Sequence, residues 1–242
     1  MEAENRVKKG HWLTERPVAH RGLWGGKVVE NSVTAYEKAA QAGYPFEIDV
    51  YRSADGVLYC FHDKTLARMT GAEGKIFEKT SAELDRLRLA DTNEKIPRFE
   101  EVLEIAGNRT PLLIELKDHD AKDFVEQAVG ILKHYKGDFA VQTFNPLYLG
   151  KVKKLAPEFI RGILGTDDAK EEKPINRHIL KHMSLNFLIK PDFISYRHNA
   201  LPLKTNKTKN LPVLGWTVTD KEEAARLKNL GINIIFENFI PD

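Results

Sequence analysis

The stretch Pro45–Asp63, PFEIDVYRSADGVLYCFHD, decides the fold. It contains two runs rich in apolar and β-branched residues, Pro45–Arg52 and Val57–Asp63, separated only by Ser53-Ala54-Asp55-Gly56. A parallel crossover needs a dozen or more residues, so so short a connection cannot join parallel neighbours. Asp-Gly between alternating apolar runs is a strong hairpin signal instead. The two runs are therefore expected to pair antiparallel. With the turn centred on Ala54-Asp55, Glu47 would face His62 and Asp49 would face Cys60, with Cβ atoms about 5 Å apart across the pair.

Working outward, further strand-like runs stand at Pro17–Gly22, Pro111–Lys117, Phe139–Phe144, Ile160–Gly165, Phe193–Tyr196, Val213–Val218 and Ile232–Glu237. Amphipathic stretches alternate with them at Asn31–Ala42, Ser81–Arg88, Arg98–Ala106, Ala121–Tyr135, Leu147–Leu155, Ile175–Phe187 and Lys221–Leu230. Leu201–Asn210 reads as a loop. Strands alternating with helices give a parallel sheet. Counting the hairpin as one barrel strand plus an extension leaves eight strands, and the expected fold is a TIM (β/α)8 barrel with a β-hairpin after the second strand. The 242 residues suit a barrel of roughly 250. No linker, repeat or low-complexity segment interrupts residues 1–242, so one domain is expected.

Lys and Arg total 37 against 35 Asp and Glu, a formal net charge of +2, and like charges do not form long runs. This balance argues against nucleic-acid binding and membrane adsorption. The single cysteine, Cys60, rules out an intramolecular disulfide and reads as a small buried hydrophobe. The N-terminal MEAENRVKKGHWLTERPV lacks the apolar run of a secretory signal, and no stretch of about 18 apolar residues could span a bilayer. A cytoplasmic location is the expectation.

Polar residues gather at the C-terminal ends of the strands, where barrel enzymes place their sites. His20 and Arg21 end the first, Glu47 and Asp49 lie on the second, Glu115 and Lys117 on the third, Gln142 on the fourth and Trp216 on the seventh. Strand period two puts Glu47 and Asp49 on one face, and likewise Glu115 and Lys117. Three carboxylates converging on one barrel mouth need a neutralising cation, and an all-oxygen set favours Mg²⁺ or Ca²⁺ over zinc. Arg21 and Lys117 suit an anionic substrate group. His20 and His62 titrate near neutrality, so one can take a proton while the other supplies one. Each motif taken singly has a blander reading. His-Arg-Gly makes turns, Glu-x-Asp and Glu-x-Lys make ion pairs, His62-Asp63 could open a loop, and a lone Trp is most often core. His119, His134, His178, His182 and His198 read as surface or loop residues without a role. The ordered constellation carries the weight.

That constellation resembles the glycerophosphodiester phosphodiesterases. The resemblance lies in AHRG at Ala19–Gly22, ENS at Glu30–Ser32, EIDV at Glu47–Val50 and DGVLYCFHD at Asp55–Asp63, followed by TLARMTG. It continues through IPRFEEVL at Ile96–Leu103, IELK at Ile114–Lys117, QTF at Gln142–Phe144 and GWTV at Gly215–Val218. It implies a TIM barrel that cleaves a small glycerophosphodiester to glycerol 3-phosphate and an alcohol with one divalent cation, Mg²⁺ or Ca²⁺. Position by position it implies metal binding by Glu47, Asp49 and Glu115, acid–base roles for His20 and His62, phosphate contacts from Arg21 and Lys117, and a pocket wall from Trp216. Attack by the glycerol 2-hydroxyl, giving a cyclic phosphate that water then opens, is the mechanism it suggests. Val29 stands where such chains usually have Pro, and Asn238 where they usually have Asp. Lys170–Asn210 matches little and is expected to shape the alcohol side of the pocket.

Paired carboxylates in a barrel also serve glycoside hydrolases, but a neutral sugar has no need of Arg21, Lys117 and two histidines. A lysophospholipase D-type phosphodiesterase on the same scaffold would require a larger apolar opening. A non-catalytic barrel binding phosphate esters would be expected if a histidine or carboxylate were missing. These motifs do not specify head group or oligomeric state.

Overall fold

A computed structural model describes residues 6–119, 121–168, 178, 181–203 and 211–241. Among the described residues nine strands run in the order expected: β1 Val18–Ala19, β2 Phe46–Arg52, β3 Leu58–Cys60, β4 Leu112–Leu116, β5 Phe139–Thr143, β6 Arg161–Gly165, β7 Phe193–Arg197, β8 Val213–Val218 and β9 Asn233–Phe236. All pairings recorded for β3 are antiparallel, to β2, and every other strand pairs in parallel. The fold class is the TIM (β/α)8 barrel with the hairpin extension. The chain separates into two compact units, Ala19–Phe139 and Met1–Val18 with Ala140–Asp242.

In the first unit β2 is the central strand, parallel to β1 and β4, with its residues through Tyr51 buried. Burial on both faces explains why PFEIDVY reads as a nearly continuous apolar run broken only by Glu47 and Asp49. The crossover helix Val33–Gln41 starts at Ser32, whose Oγ accepts the Ala35 N–H at 3.2 Å, and stops before Gly43 at φ 76. Ala35, Tyr36, Ala39 and Ala40 form its buried stripe. Above the β2–β3 hairpin, Tyr51, Tyr59, Phe61, Leu66, Met69, Ile76, Leu84, Leu89 and Ile96 make an apolar cluster that carries the loop after β3.

The hairpin's register differs from the expected one. Val50, not Asp49, is the partner of Cys60, Tyr51 pairs with Tyr59, and the Phe61 N–H donates to the Asp49 carbonyl at 2.9 Å. The cause is the turn. Ser53 N–H closes on the Val57 carbonyl at 2.8 Å, so the loop proper is Ala54-Asp55-Gly56, with Gly56 at φ 95 supplying the left-handed position that a longer loop requires. Glu47 and His62 are therefore not opposite each other.

Helix boundaries shrank in places. Ser81–Leu84 holds a capping box from Thr80 and Glu83, but the chain then turns so that Leu89 is buried, and Ala90 takes φ 47. Phe124–Leu132 starts late because Asp123 sits at φ 63. In the second unit, β5 to β9 pair in sequence order, with helices Pro146–Leu155 and Lys221–Asn229 capped by Asn145 and Asp220. The N-terminal segment belongs to this unit. Arg6 is bonded to Asp192 at 2.8 Å, and Asn233 Nδ2 donates to the carbonyls of Leu13 and Arg16. Of the expected helix Ile175–Phe187, residues 175–177, 179 and 180 lie outside the described residues, and the described part is broken by a turn at Met183, φ 47, before the short helix Asn186–Ile189; most of the Leu201–Asn210 loop lies outside them.

Candidate active site and metal centre

The site is built in the first unit, just beyond β1, along β2 and at the C-terminal end of β4. Parallel register sets Glu115 beside Asp49, and strand alternation keeps Glu47 on the face of Asp49. One carboxylate oxygen from each of Glu47, Asp49 and Glu115 lies within 4.8 Å of the others. These three residues are 2%, 0% and 7% exposed, too buried to be a solvated acidic face.

Two cations reach the cluster. Lys117 Nζ stands 2.9 Å from Glu115 Oε1 and 3.2 Å from Asp49 Oδ1. The Arg21 N–H donates to Glu47 Oε2 at 3.1 Å, its Nη1 is 2.9 Å from Glu30 Oε1, and its Nε is 3.7 Å from Asp49 Oδ2. Asn31 Nδ2 donates to Asp49 Oδ2 at 3.0 Å, and the Tyr36 hydroxyl donates to Asn31 Oδ1 at 2.6 Å. Arg21 and Asn31 both have left-handed backbone, φ 57 and 51, and strain of this kind gathers at sites where the surroundings over-determine it.

The turn after Arg21 admits no side chain. Gly22, at φ 82, would place a Cβ 2.8 Å from the Ala35 carbonyl carbon. Gly22→Ala is expected to cost about 1–3 kcal/mol and to lower the melting temperature by ~2–12 °C for a chain of this length. Calorimetry reads it, and an unchanged transition would mean that the turn can yield.

The electrostatics divide the carboxylates. Burial, then Asp49 and Glu115, push the Glu47 carboxyl well above its ordinary value, against Arg21 and Lys117. Burial pushes Asp49 up as well, but Lys117, then His62, Arg21 and the Asn31 amide outweigh it and hold it low. Lys117 is likewise disfavoured by burial, yet Asp49 and Glu115 keep it charged and raise it. Three carboxylates face two cations, and the imbalance falls on Glu47 as a raised affinity for its proton. A divalent cation fits that deficit. Its fit has a geometric sign too: Asp49 Oδ1 is buried with no hydrogen-bond partner, although Lys117 is near. All three donors are hard oxygens, suited to Mg²⁺ or Ca²⁺.

The two histidines differ. His62 follows β3, is about one-third exposed, and its Nδ1 lies 2.7 Å from Asp63 Oδ1; its charge is felt at Asp49. His20 is half-buried beyond β1, and its carbonyl accepts from Trp24 Nε1 at 3.0 Å. Trp216 lies in the second unit on β8, edge-on to Phe144 with ring centroids 5.6 Å apart. Gln142, also in that unit, accepts from the Ser195 hydroxyl at 2.7 Å. Asn238 is exposed, at φ 67. His119, read as a surface or loop residue, lies in the loop after β4 but is buried: 5% exposed, it packs among Tyr51, Phe77 and Phe124 and accepts the Arg52 N–H at 3.2 Å. Burial, the largest influence on it, lowers its pKa and favours the neutral ring. Sequence reading gave no part to Glu30, Asn31, Tyr36, Asp63 or Arg68, although ENS and His-Asp stood among the motifs.

Buried carboxylates with Lys117 and Arg21 beside them, at the strand ends of a β/α barrel, suit chemistry on an anionic ester. The chain is a member of the Glycerophosphoryl diester phosphodiesterase family, whose family model matches residues 20–241. A putative glycerophosphodiester phosphodiesterase of Bacillus subtilis (strain 168) is 26% identical over 241 residues, covering 93% of this chain and 94% of its own. A glycerophosphodiester phosphodiesterase of Caldanaerobacter subterraneus is 28% identical over 233 residues, covering 89% and 90%. Among solved structures, an Oleispira antarctica phosphodiesterase in complex with the product sn-glycerol-3-phosphate superposes with a TM-score of 0.78 at 25% identity, over 91% of both chains. A glycerophosphodiester phosphodiesterase from Parabacteroides distasonis gives a TM-score of 0.75 at 25% identity, over 92% of both. The enzyme class is thus glycerophosphodiester phosphodiesterase. Among the described residues no helix is long and apolar enough to cross a membrane.

Proposed function

We propose that the protein hydrolyses small glycerophosphodiesters to glycerol 3-phosphate and an alcohol, with one Mg²⁺ or Ca²⁺ held by Glu47, Asp49 and Glu115. The observation that carries this reading is the buried carboxylate trio with oxygens within 4.8 Å of one another and Lys117 and Arg21 beside it. The product bound by the Oleispira relative supports the substrate class. One family model running across both units supports treating residues 1–242 as one domain.

When bound, the cation supplies Lewis acidity toward a phosphoryl oxygen. Lys117 and the Arg21 guanidinium offer donors for the remaining charge on the diester, and these interactions strengthen as charge grows in the transition state. The glycerol 2-hydroxyl, or water, attacks phosphorus. A P–O bond forms to that oxygen as the P–O bond to the leaving alcohol breaks. One of His20 and His62 takes the proton from the attacking hydroxyl and the other gives one to the departing alkoxide. Where the 2-hydroxyl has attacked, water then opens the cyclic phosphate: a P–O bond forms to water as the P–O bond to the 2-oxygen breaks and that oxygen takes a proton, which leaves glycerol 3-phosphate.

Incubation with glycerophosphocholine, glycerophosphoethanolamine and lysophosphatidylcholine, each with Mg²⁺, Ca²⁺ or chelator, tests this. Metal-dependent release of glycerol 3-phosphate from the first two is expected. Turnover surviving exhaustive chelation would remove the metal from the reaction. Choline release from lysophosphatidylcholine alone would move the substrate class to lysophospholipids.

A further inference from the structure

Arg68 lies on the short helix Ala67–Thr70 that follows His62 and Asp63. Its guanidinium grips Asp63 twice, Nε to Oδ2 at 2.6 Å and Nη2 to Oδ1 at 3.0 Å. The same Nη2 donates to Glu30 Oε1. Each carboxylate has a second partner. Asp63 Oδ1 is 2.7 Å from His62 Nδ1, and Glu30 Oε1 is 2.9 Å from Arg21 Nη1. Charges thus alternate from the Asp63–His62 pair through Arg68 and Glu30 to Arg21.

We propose that Arg68 is a positioning residue: by clamping Asp63 against Glu30 it fixes the ring of His62 relative to the guanidinium of Arg21. This rests on the proposed acid–base role of His62.

The clamp has a physical reason. A carboxylate bonded only to its neighbouring histidine can swivel about its terminal torsion, whereas a two-point guanidinium contact fixes its plane. The His62 hydrogen bond and Arg68 also hold Asp63 low against burial, so the group is ionised and only accepts. His62 Nδ1 must then carry the donated hydrogen, which leaves Nε2 for proton exchange. On the other side, Glu30 is 7% exposed and shared by two guanidinium groups, so neither arginine can shift without unbalancing a buried carboxylate. Arg68 itself is half exposed, at 49% of its side chain, so the fold does not depend on its burial and a small cation from solvent could take its place.

Steady-state kinetics of Arg68→Ala, Asp63→Asn and the double variant on glycerophosphocholine, beside the wild type, test the clamp. Arg68→Ala should lower kcat by about 10–100-fold, the scale of a misplaced catalytic group. KM should move less than about threefold, because Arg21 keeps its own bond to Glu30. The double variant should lose little beyond Asp63→Asn, and methylguanidinium should restore part of the kcat of Arg68→Ala where methylammonium does not. Loss confined to KM, full additivity, or a wild-type kcat would overturn the role. A wild type that turns over no glycerophosphodiester would overturn the catalytic reading instead. The His62 Nδ1–H resonance in histidine-labelled protein then still reads the clamp, and an identical signal in Arg68→Ala would sink it.

Discussion

His62→Ala lowers kcat by about 10²-fold or more, the usual contribution of a positioned general acid or base, and leaves the metal-induced rise in melting temperature in place. His62 is suited to proton transfer because its Nδ1 is committed to Asp63 at 2.7 Å, which fixes the tautomer and leaves the other ring nitrogen for exchange. About one-third of the side chain is exposed, so its truncation removes little packing. A purely structural histidine would show the opposite signature, a lower melting temperature with kcat nearly intact. His20→Ala should behave like His62→Ala, and a double variant should lose much less than the product of the two, because one missing proton transfer already stalls a step that needs both. A rate within threefold of wild type for a folded His62→Ala would take proton transfer away from His62.

The parts of this site that were legible in the sequence were those set by local periodicity. Glu47 and Asp49 are two apart on one strand, and Glu115 and Lys117 two apart on another, so a shared face followed from pleating alone. The hairpin was legible for the same reason, since Ser53–Gly56 cannot hold a crossover. Its register was not, because Asp-Gly suits both a two-residue turn and the three-residue loop found, and only the closure of Ser53 on Val57 separates them. Left-handed backbone at Asp123, after which the helix Phe124–Leu132 starts, is a conformation that Asp tolerates but does not require, so the residue type alone does not mark that boundary. Burial of His119 depends on rings from three separate elements. The Glu30–Arg68 contact joins residues 38 apart, one in a turn and the other on a four-residue helix, where no period connects them. Its members were visible as motif letters, but the bonds among them are a product of tertiary structure.

Saturating Mg²⁺ or Ca²⁺ should raise the melting temperature, and the rise should grow with pH. In the metal-free protein the Glu47 carboxyl is pushed above its ordinary value of 4.5, by burial first and then by Asp49 and Glu115. The folded state therefore binds that proton more tightly than the unfolded chain does. The stability this contributes is complete below 4.5 and is lost as pH rises through the raised folded value. Asp49, held low by Lys117 and His62 against burial, contributes in the opposite sense, losing stability only in strong acid. As pH rises through that raised value the metal-free site is left with a third uncompensated carboxylate, while a divalent cation takes the place of the proton and gains affinity as Glu47 ionises. At about 100 times Kd the ion adds ~2.7 kcal/mol, or roughly 5–10 °C for a chain of this length. Scanning calorimetry across pH 5–8 with metal or chelator checks it, and equal transitions in both, or a difference that shrinks as pH rises, would count against the site. Glu47→Gln separates charge from packing within the same experiment. It removes the ionisable group without changing the side chain's size, so the stability lost to its raised folded value returns: the metal-free melting temperature at neutral pH should rise and the metal-induced rise should disappear. A carboxylate that destabilises the empty fold yet is required by the loaded one is present for the ion rather than for the barrel.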